Sequence, residues 1–470
     1  MFDLLIKNGT LITVDPDHRV YQPGFVAVSG NSIAAIGPMS DLPADASAAR
    51  TIDASGHAVL PGLIDSHGHA GHCLTKTLGE HLGDEWEPMA EGIYHRFSDE
   101  EFWRSEGALA ALERLKFGVT TGVSMLGNTP RVDRLELLDA HFAGALPIGI
   151  RQVSGIGSPN PPWPKLARVW SGDDYREYAV NPEDAFPQTE QAIRQWQGKH
   201  PRAYCYVMPS RIGRAPSIPL ELAIKQNREM RRIANSYGVP IHAHAFGGDM
   251  EFVQQTSPEV LGGDISLSHS TGMSPHEWQI MAEKGISVCH GPSTHSVMRQ
   301  RCPAFEMLEA GVNVVIATDG TAPDRSFDLW RDLRVAQVLH RGHFHHTGLL
   351  PAGLVLEMAT IRAARALKLD HLIGSLEVGK RADIILVDVE QPHLAPFGVM
   401  PIQRLVYHAS GQDVSHVIVD GQVLMQDRQV QSVDQRCVLS DARAAFLQMM
   451  RSSGNWDKTE NPNLYALRSF

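Results

Sequence analysis

A chain of 470 residues is long enough for one large domain beside a smaller one and can bury a substantial core without covalent staples. Its 43% hydrophobic and 20% charged residues are ordinary for a globular protein, and a formal net charge of -11 removes the basic footprint of a nucleic-acid binder and disfavours an anionic membrane surface. The five cysteines, Cys73, Cys205, Cys289, Cys302 and Cys437, are odd in number and never form a CxxC pair, which excludes a disulfide frame and a cysteine-zinc module and predicts a reduced, cytoplasmic setting.

The first segment, "MFDLLIKNGTLITVDPD", has a short apolar stretch followed by an Asn8-Gly9 turn and reads as a hairpin, not a signal peptide. Residues 1–58, with "FVAVSGNSIAAIG", alternate apolar and polar residues as antiparallel strands do. From residue 59 short apolar runs alternate with helical patterns, the signature of parallel βα units. The runs cover 59–65, 118–126, 147–154, 203–208, 239–244, 264–269, 285–290 and 312–319. Before the fifth run, Leu220, Ala223, Ile224, Met230, Ile233, Ala234 and Tyr237 form an apolar stripe at helical spacing, and Gly238 stops it. Eight runs predict a (β/α)8 TIM barrel over residues 59–373, with a closing helix at 352–368. Residues 374–435 return to strand-like alternation and pair with 1–58 in one composite β-sandwich, and 436–470 read as a helical, polar tail.

Active sites of such barrels lie at the C-terminal ends of the strands, so a polar residue closing an apolar run is a site candidate. Run one ends in Asp65-Ser66-His67-Gly68-His69, run five in His242-Ala243-His244, run six in His269 and run eight in Asp319. His67 and His69, two apart in extended chain, face the same side. An imidazole from run five and the Asp319 carboxylate complete a nitrogen-rich site with one oxygen ligand, suited to zinc, with iron(II) or cobalt(II) as other borderline ions. Among 23 histidines an HxH pair alone has little weight. Its weight comes from four candidates at strand ends that a barrel brings together.

In order and spacing, "PGLIDSHGH", "VPIHAHA", "SLSHSTGMS", "NVVIATDG", "GSLEVGKRADIILVD" and "VIVDGQVL" resemble the amidohydrolase superfamily, in the branch of the triazine hydrolases and the cytosine, guanine and S-adenosylhomocysteine deaminases. The resemblance covers nearly the whole chain except the tail. It implies one divalent ion, zinc first, held by His67, His69, His244 and Asp319. It implies that His269 hydrogen-bonds the attacking water or the substrate, that Asp319 and His269 serve as catalytic base, and that His242 supports from one layer deeper. No lysine lies in or just after "AYCYVMPS", so the carboxylated-lysine bridge of binuclear members is missing and one metal is expected. The relatives also imply a small-molecule substrate and a homodimer or homotetramer.

One departure bears on the reaction. Deaminases of this branch place a glutamate three residues after the run-five ligand to protonate a ring nitrogen, and here that position is Gly247. The leading expectation is therefore hydrolysis of a non-peptide C-N, C-S or C-X bond in a small, largely apolar amide, urea, carbamate or thiocarbamate by metal-activated water, near the phenylurea and molinate hydrolases. The alternative is a deaminase or dechlorinase of an N-heterocycle in which Asp249, Glu251 or His295 replaces the glutamate. A remote alternative, a non-catalytic scaffold, has no need of four intact polar ligands.

Other residues take smaller parts. His295, in "CHGPSTH", is expected to contact substrate, against a plain loop histidine. His72 and Lys76 line the pocket mouth or face solvent. His340, His343, His345 and His346 in "LHRGHFHH" read as a solvated or subunit-contact face, and the aromatics of 85–103 as a lid or as core.

Overall fold

The computed structural model describes residues 1–79, 85–127, 131, 133–172, 174–297 and 300–456. Eight parallel strands follow one another in chain order: Leu63–Asp65, Val119–Leu126, Arg151–Ile156, Ala203–Val207, Ile241–Ala245, Ile265–His269, Ser287–His290 and Asn313–Ile316. Side chains alternate across them. Ile241, Ala243, Ala245, Ile265 and Leu267 pack outward in the main core, while His242, His244, Ser266 and Ser268 take the other face. The ring closes between its first and eighth strands through individual bonds: Ser66 Oγ donates to Ile316 O (2.9 Å), Thr318 N to Asp65 Oδ1 (3.0 Å) and Asp319 N to His67 O (3.1 Å).

The connecting helix predicted before the fifth strand spans Leu220–Tyr237 and ends at Gly238, whose φ of +62° suits the left-handed helix stop. Two expectations shift. Run one is divided at Gly62: His57–Pro61 belongs to the other sheet and only Leu63–Asp65 to the barrel. A Cβ on Gly62 would lie 2.1 Å from Thr120 Oγ1, so only glycine lets the chain cross from one sheet to the other here. The closing helix is two, Ala352–Met358 and Ile361–Ala366, with the Ala359 carbonyl between them taken by Ile64 N (2.9 Å).

Both chain ends meet in a nine-stranded sheet, formed by five strands within residues 2–61 and four within 384–430. Phe2–Ile12 is its centre, pairing with Val20–Ser29, Ala48–Asp53 and His57–Pro61. Its core holds Leu4, Ile6, Val26, Val28, Ile384, Leu386 and Ile418, drawn from both ends. Within the segment expected as all strand lies a helix, Pro401–His408. The tail begins with Gln435–Ser452, whose Ala442, Ala445, Met449 and Met450 are buried. An antiparallel pair absent from the sequence expectation, Lys165–Ser171 with Asp174–Val180, leaves the barrel after its third strand. Among the described residues no helix is long and apolar enough to cross a membrane.

Candidate metal centre and active site

The C-terminal strand ends bring His67, His69, His244, His269 and Asp319 together, all buried. The hydrogen bonds fix what each ring can offer. His69 Nδ1 lies 2.9 Å from Gly127 O and His244 Nδ1 2.7 Å from Ser210 O. A carbonyl only accepts, so each Nδ1 carries the proton and each neutral ring turns an Nε2 lone pair inward. His67 Nδ1 meets His242 Nε2 (2.7 Å), and His242 Nδ1 meets Ser266 Oγ (2.7 Å), a relay that leaves His67 Nε2 inward as well. Burial lowers the pKa of His67 and pushes those of His242 and His244 well below the usual imidazole value, which keeps the rings in the neutral form a ligand needs.

These lone pairs converge on other acceptors. His244 Nε2 lies 3.3 Å from His69 Nε2, and Asp319 Oδ1 lies 3.1 Å from His67 Nε2 and 3.3 Å from His69 Nε2. Acceptors crowding acceptors in a dry site is the arrangement a cation resolves, and three imidazoles with one carboxylate suit zinc. The residues present fit a divalent ion.

Asp319 is prepared for this place. Burial alone would raise its pKa, but its positive surroundings, with Arg325 Nη1 3.8 Å from Oδ2, hold the carboxyl well below its usual range. Thr294 Oγ1 donates to Oδ2 (2.9 Å). Asp319 at φ +62° and His269 at φ +66° both have left-handed backbone, a strained state for residues with a Cβ and one that clusters at functional sites. Beneath them Arg114 and Asp65 form a fully buried ion pair, with Arg114 Nη2 2.8 Å from Asp65 Oδ2. Arg114 also donates to Ser124 Oγ and Val123 O, each at 2.8 Å, and Asp65 accepts from Thr318 N and Oγ1. This clamp ties strands one, two and eight at the level of the ligands.

The glutamate position is filled by backbone. Gly247 N donates to Thr271 O (2.9 Å), and a Cβ on Gly247 would sit 2.1 Å from Gly272 O. The loop after strand six thus lies where a side chain would begin. Glycine here admits that loop and leaves no open space at its own Cβ. The proposed substitutes are engaged elsewhere. Asp249 takes Arg211 Nε (2.7 Å) and Nη2 (2.9 Å) with the amides of Phe246 and Arg214, and Glu251 accepts from Ser274 Oγ (2.8 Å). His295 is different: its Nε2 lies 3.2 Å from His269 Nδ1.

His72 is buried, its ring 5.0 Å from that of His69 and 6.2 Å from Trp86, so it faces protein and not solvent. Lys76 is partly exposed and ion-paired with Glu113. Of 85–103, Trp86, Ile93, Tyr94, Phe102 and Trp103 are core. His343, His345 and His346 are exposed, but His340 is fully buried with Nε2 3.3 Å from His290 Nε2, which corrects the reading of that cluster as one surface face. Sequence reading missed Arg114, Thr294, Ser266 and His290 as parts of the site. His290 alone carried a signal, as the residue that ends strand seven.

A family model described as the amidohydrolase family matches residues 58–424. The chain is 33% identical over 442 residues to a 5-methylthioadenosine/S-adenosylhomocysteine deaminase of Syntrophobacter fumaroxidans, covering 91% of this chain and 94% of that protein. It is 29% identical over 462 residues to a 5'-deoxyadenosine deaminase of Methanosarcina mazei, covering 95% and 98%. Among solved structures, an adenosine deaminase from Xanthomonas campestris with bound zinc superposes with a TM-score of 0.79 at 23% identity, covering 96% of this chain and 99% of that one. The zinc complex of atrazine chlorohydrolase from Arthrobacter aurescens gives 0.77 at 23% identity, covering 94% and 100%. The barrel, its ligand set and these likenesses agree: the chain belongs to the amidohydrolase family and is a metal-dependent hydrolase of carbon-nitrogen bonds other than peptide bonds.

Proposed function

We propose that the protein is a mononuclear zinc enzyme that removes the exocyclic amino group of an adenine-type nucleoside by hydrolysis. The observation that carries this reading is full-length likeness to deaminases named for adenosine derivatives, in a chain that gathers three imidazoles and a carboxylate at its strand ends. It displaces the urea and carbamate chemistry that Gly247 alone suggested. His67, His69, His244 and Asp319 would hold the ion, which supplies Lewis acidity and lowers the pKa of water from about 15.7 toward about 7. Asp319, fixed at Oδ2 by Thr294, takes the proton that water loses and returns it to the departing amine. His269 Nε2, 3.8 Å from Asp319 Oδ1, faces the same space and is placed to meet the substrate.

Incubation of the zinc-loaded enzyme with 5'-methylthioadenosine, S-adenosylhomocysteine, 5'-deoxyadenosine and adenosine, with ammonia measured directly, tests the reading. Ammonia release from at least one is expected. A second reading, hydrolysis of a urea or carbamate whose carbon is electrophilic without ring protonation, is favoured by the backbone that fills the glutamate position. Amine release from an aryl urea with no ammonia from any nucleoside would select it.

A further inference from the structure

Behind His269 the side chains continue in a single file. His269 Nδ1 is 3.2 Å from His295 Nε2, and His295 Nδ1 is 3.2 Å from His290 Nδ1. His290 Nε2 is 3.3 Å from His340 Nε2, and His340 Nδ1 is 3.4 Å from Arg301 Nη1. The four imidazoles are buried, and Arg301, at the outer end, is also paired with Glu306.

A neutral imidazole has one N-H and one lone pair, and a guanidinium can only donate. The contact at the outer end therefore has a fixed direction, from Arg301 to His340 Nδ1. His340 must carry its proton on Nε2 and give it to His290 Nε2. His290 then holds its proton on Nδ1 and donates to His295 Nδ1, and His295 donates from Nε2 to His269 Nδ1. His269 is left with its proton on Nε2, the nitrogen that faces Asp319 and the ligand cluster. Burial holds the His290 pKa well below the usual imidazole range and lowers that of His340 to about 4, so neither ring is cationic near neutral pH and neither can donate in both directions.

We propose that Arg301, His340, His290 and His295 are positioning residues that lock His269 in its Nε2-H tautomer, so that His269 enters the active site as a hydrogen-bond donor and not as a base. This assigns the base to Asp319. It also gives the site, in place of the glutamate absent at Gly247, a donor aimed at the ring nitrogen or the negative charge that develops on the substrate. What His269 donates to rests on the proposed function. The tautomer rests on the protein alone.

Neutron diffraction from the deuterated, zinc-loaded enzyme reads the protons directly. Deuterium is expected on Nε2 of His269, His295 and His340 and on Nδ1 of His290. Deuterium on His269 Nδ1 would overturn the proposal, and so would an ion bound among His290, His295 and Cys302, whose ligand atoms lie within 4.8 Å of one another. In kinetics with whichever substrate the ammonia or amine assay identifies, His295→Leu should keep its one zinc while kcat falls by roughly 10²-fold, the scale for loss of one such donor. His295→Gln, whose amide offers a donating nitrogen and an accepting oxygen, should recover most of that rate. Equal loss in two folded, zinc-loaded variants would sink the chain as a polarity device. Failure of the deaminase reading would leave the proton positions untouched.

Discussion

At the scale of single residues, the metal centre is built by choosing which nitrogen of each histidine is spent. His69 and His244 give Nδ1 to backbone carbonyls, and His67 gives it to His242 and onward to Ser266. His67→Ala, His244→Ala or Asp319→Ala should each remove zinc and activity together, with metal analysis giving about one ion per wild-type chain. Two ions per chain, both needed, would contradict the mononuclear site. Ser266→Ala removes the acceptor behind His242 without touching a ligand, and chelator competition should show zinc affinity weakened about 10- to 100-fold. The side chains that converge at the candidate site were legible in the sequence because chemistry-bearing residues closed apolar runs. Their carbonyl partners were not, since every residue carries a carbonyl and only the fold selects Gly127 and Ser210. Gly247 was half legible: its identity showed a missing acid, but not that Gly272 occupies the space. Gly247→Ala should accordingly cost about 1–3 kcal/mol in denaturant unfolding, the usual penalty for overpacking. A variant as stable as the wild type would show that the Gly272 loop gives way freely.

At the scale of elements, ligand geometry depends on strand ends being held in register. The Asp65–Arg114 pair does this from within the ring, fully buried and fully hydrogen-bonded. Arg114→Met strands the Asp65 charge in a dry interior and should destabilise the fold by about 3–5 kcal/mol, with zinc loss at temperatures the wild type tolerates. The short helix Pro292–Val297, which carries Thr294 and His295, is held by the helix Leu329–Phe344, where buried Asp332 accepts from Ser293 Oγ at 2.6 Å and from Ser293 N at 3.2 Å. Burial raises the Asp332 pKa to about 7, well above its value in an unfolded chain. Between about pH 4 and pH 7 the unfolded state therefore releases a proton that the folded state keeps, and this contribution to stability falls as pH rises. At about 1.4 kcal/mol per pKa unit the wild type should lose up to about 4 kcal/mol relative to Asp332→Asn across that window. Urea unfolding of both proteins at pH 5 and pH 8 should show about 3 kcal/mol of that loss, the part that falls between pH 5 and pH 7, and a constant difference would refute the assignment. Strand and helix types were mostly readable from periodicity. The exceptions have physical causes: Gly62 lets one apolar run serve two sheets, and Pro401–His408, with Ile402, Leu405 and Val406 at helical spacing, is a helix of only eight residues set among strands.

At the scale of the whole molecule, the terminal sheet pairs His57–Pro61 with Ile384–Asp388, a contact that closes a loop over the whole barrel sequence and is favoured once the barrel holds those ends together. Arg151, on the third barrel strand, is ion-paired with Asp383 and with Asp420, to whose Oδ1 its Nη2 is 2.7 Å distant, and Arg202 Nε reaches Asp420 Oδ2 at 2.9 Å. Burial disfavours the Arg151 charge, but the two carboxylates outweigh it and keep the guanidinium protonated. These pairs cross from barrel to sheet, so unfolding either part leaves buried charges on the other without partners. The two parts should therefore melt in one transition, with equal calorimetric and van't Hoff enthalpies, despite a length at which independent domains are common. A zinc ion held by the strand-end residues would bind only the folded barrel, so removing it should lower the stability of whatever unfolds cooperatively with the barrel. Chelated protein should show one transition at a lower temperature, with the signal of the terminal sheet moving together with that of the barrel. A sheet signal that stays at the zinc-loaded temperature while the barrel melts early would show that the two parts are energetically separate and that the Arg151 and Arg202 bridges do not couple them.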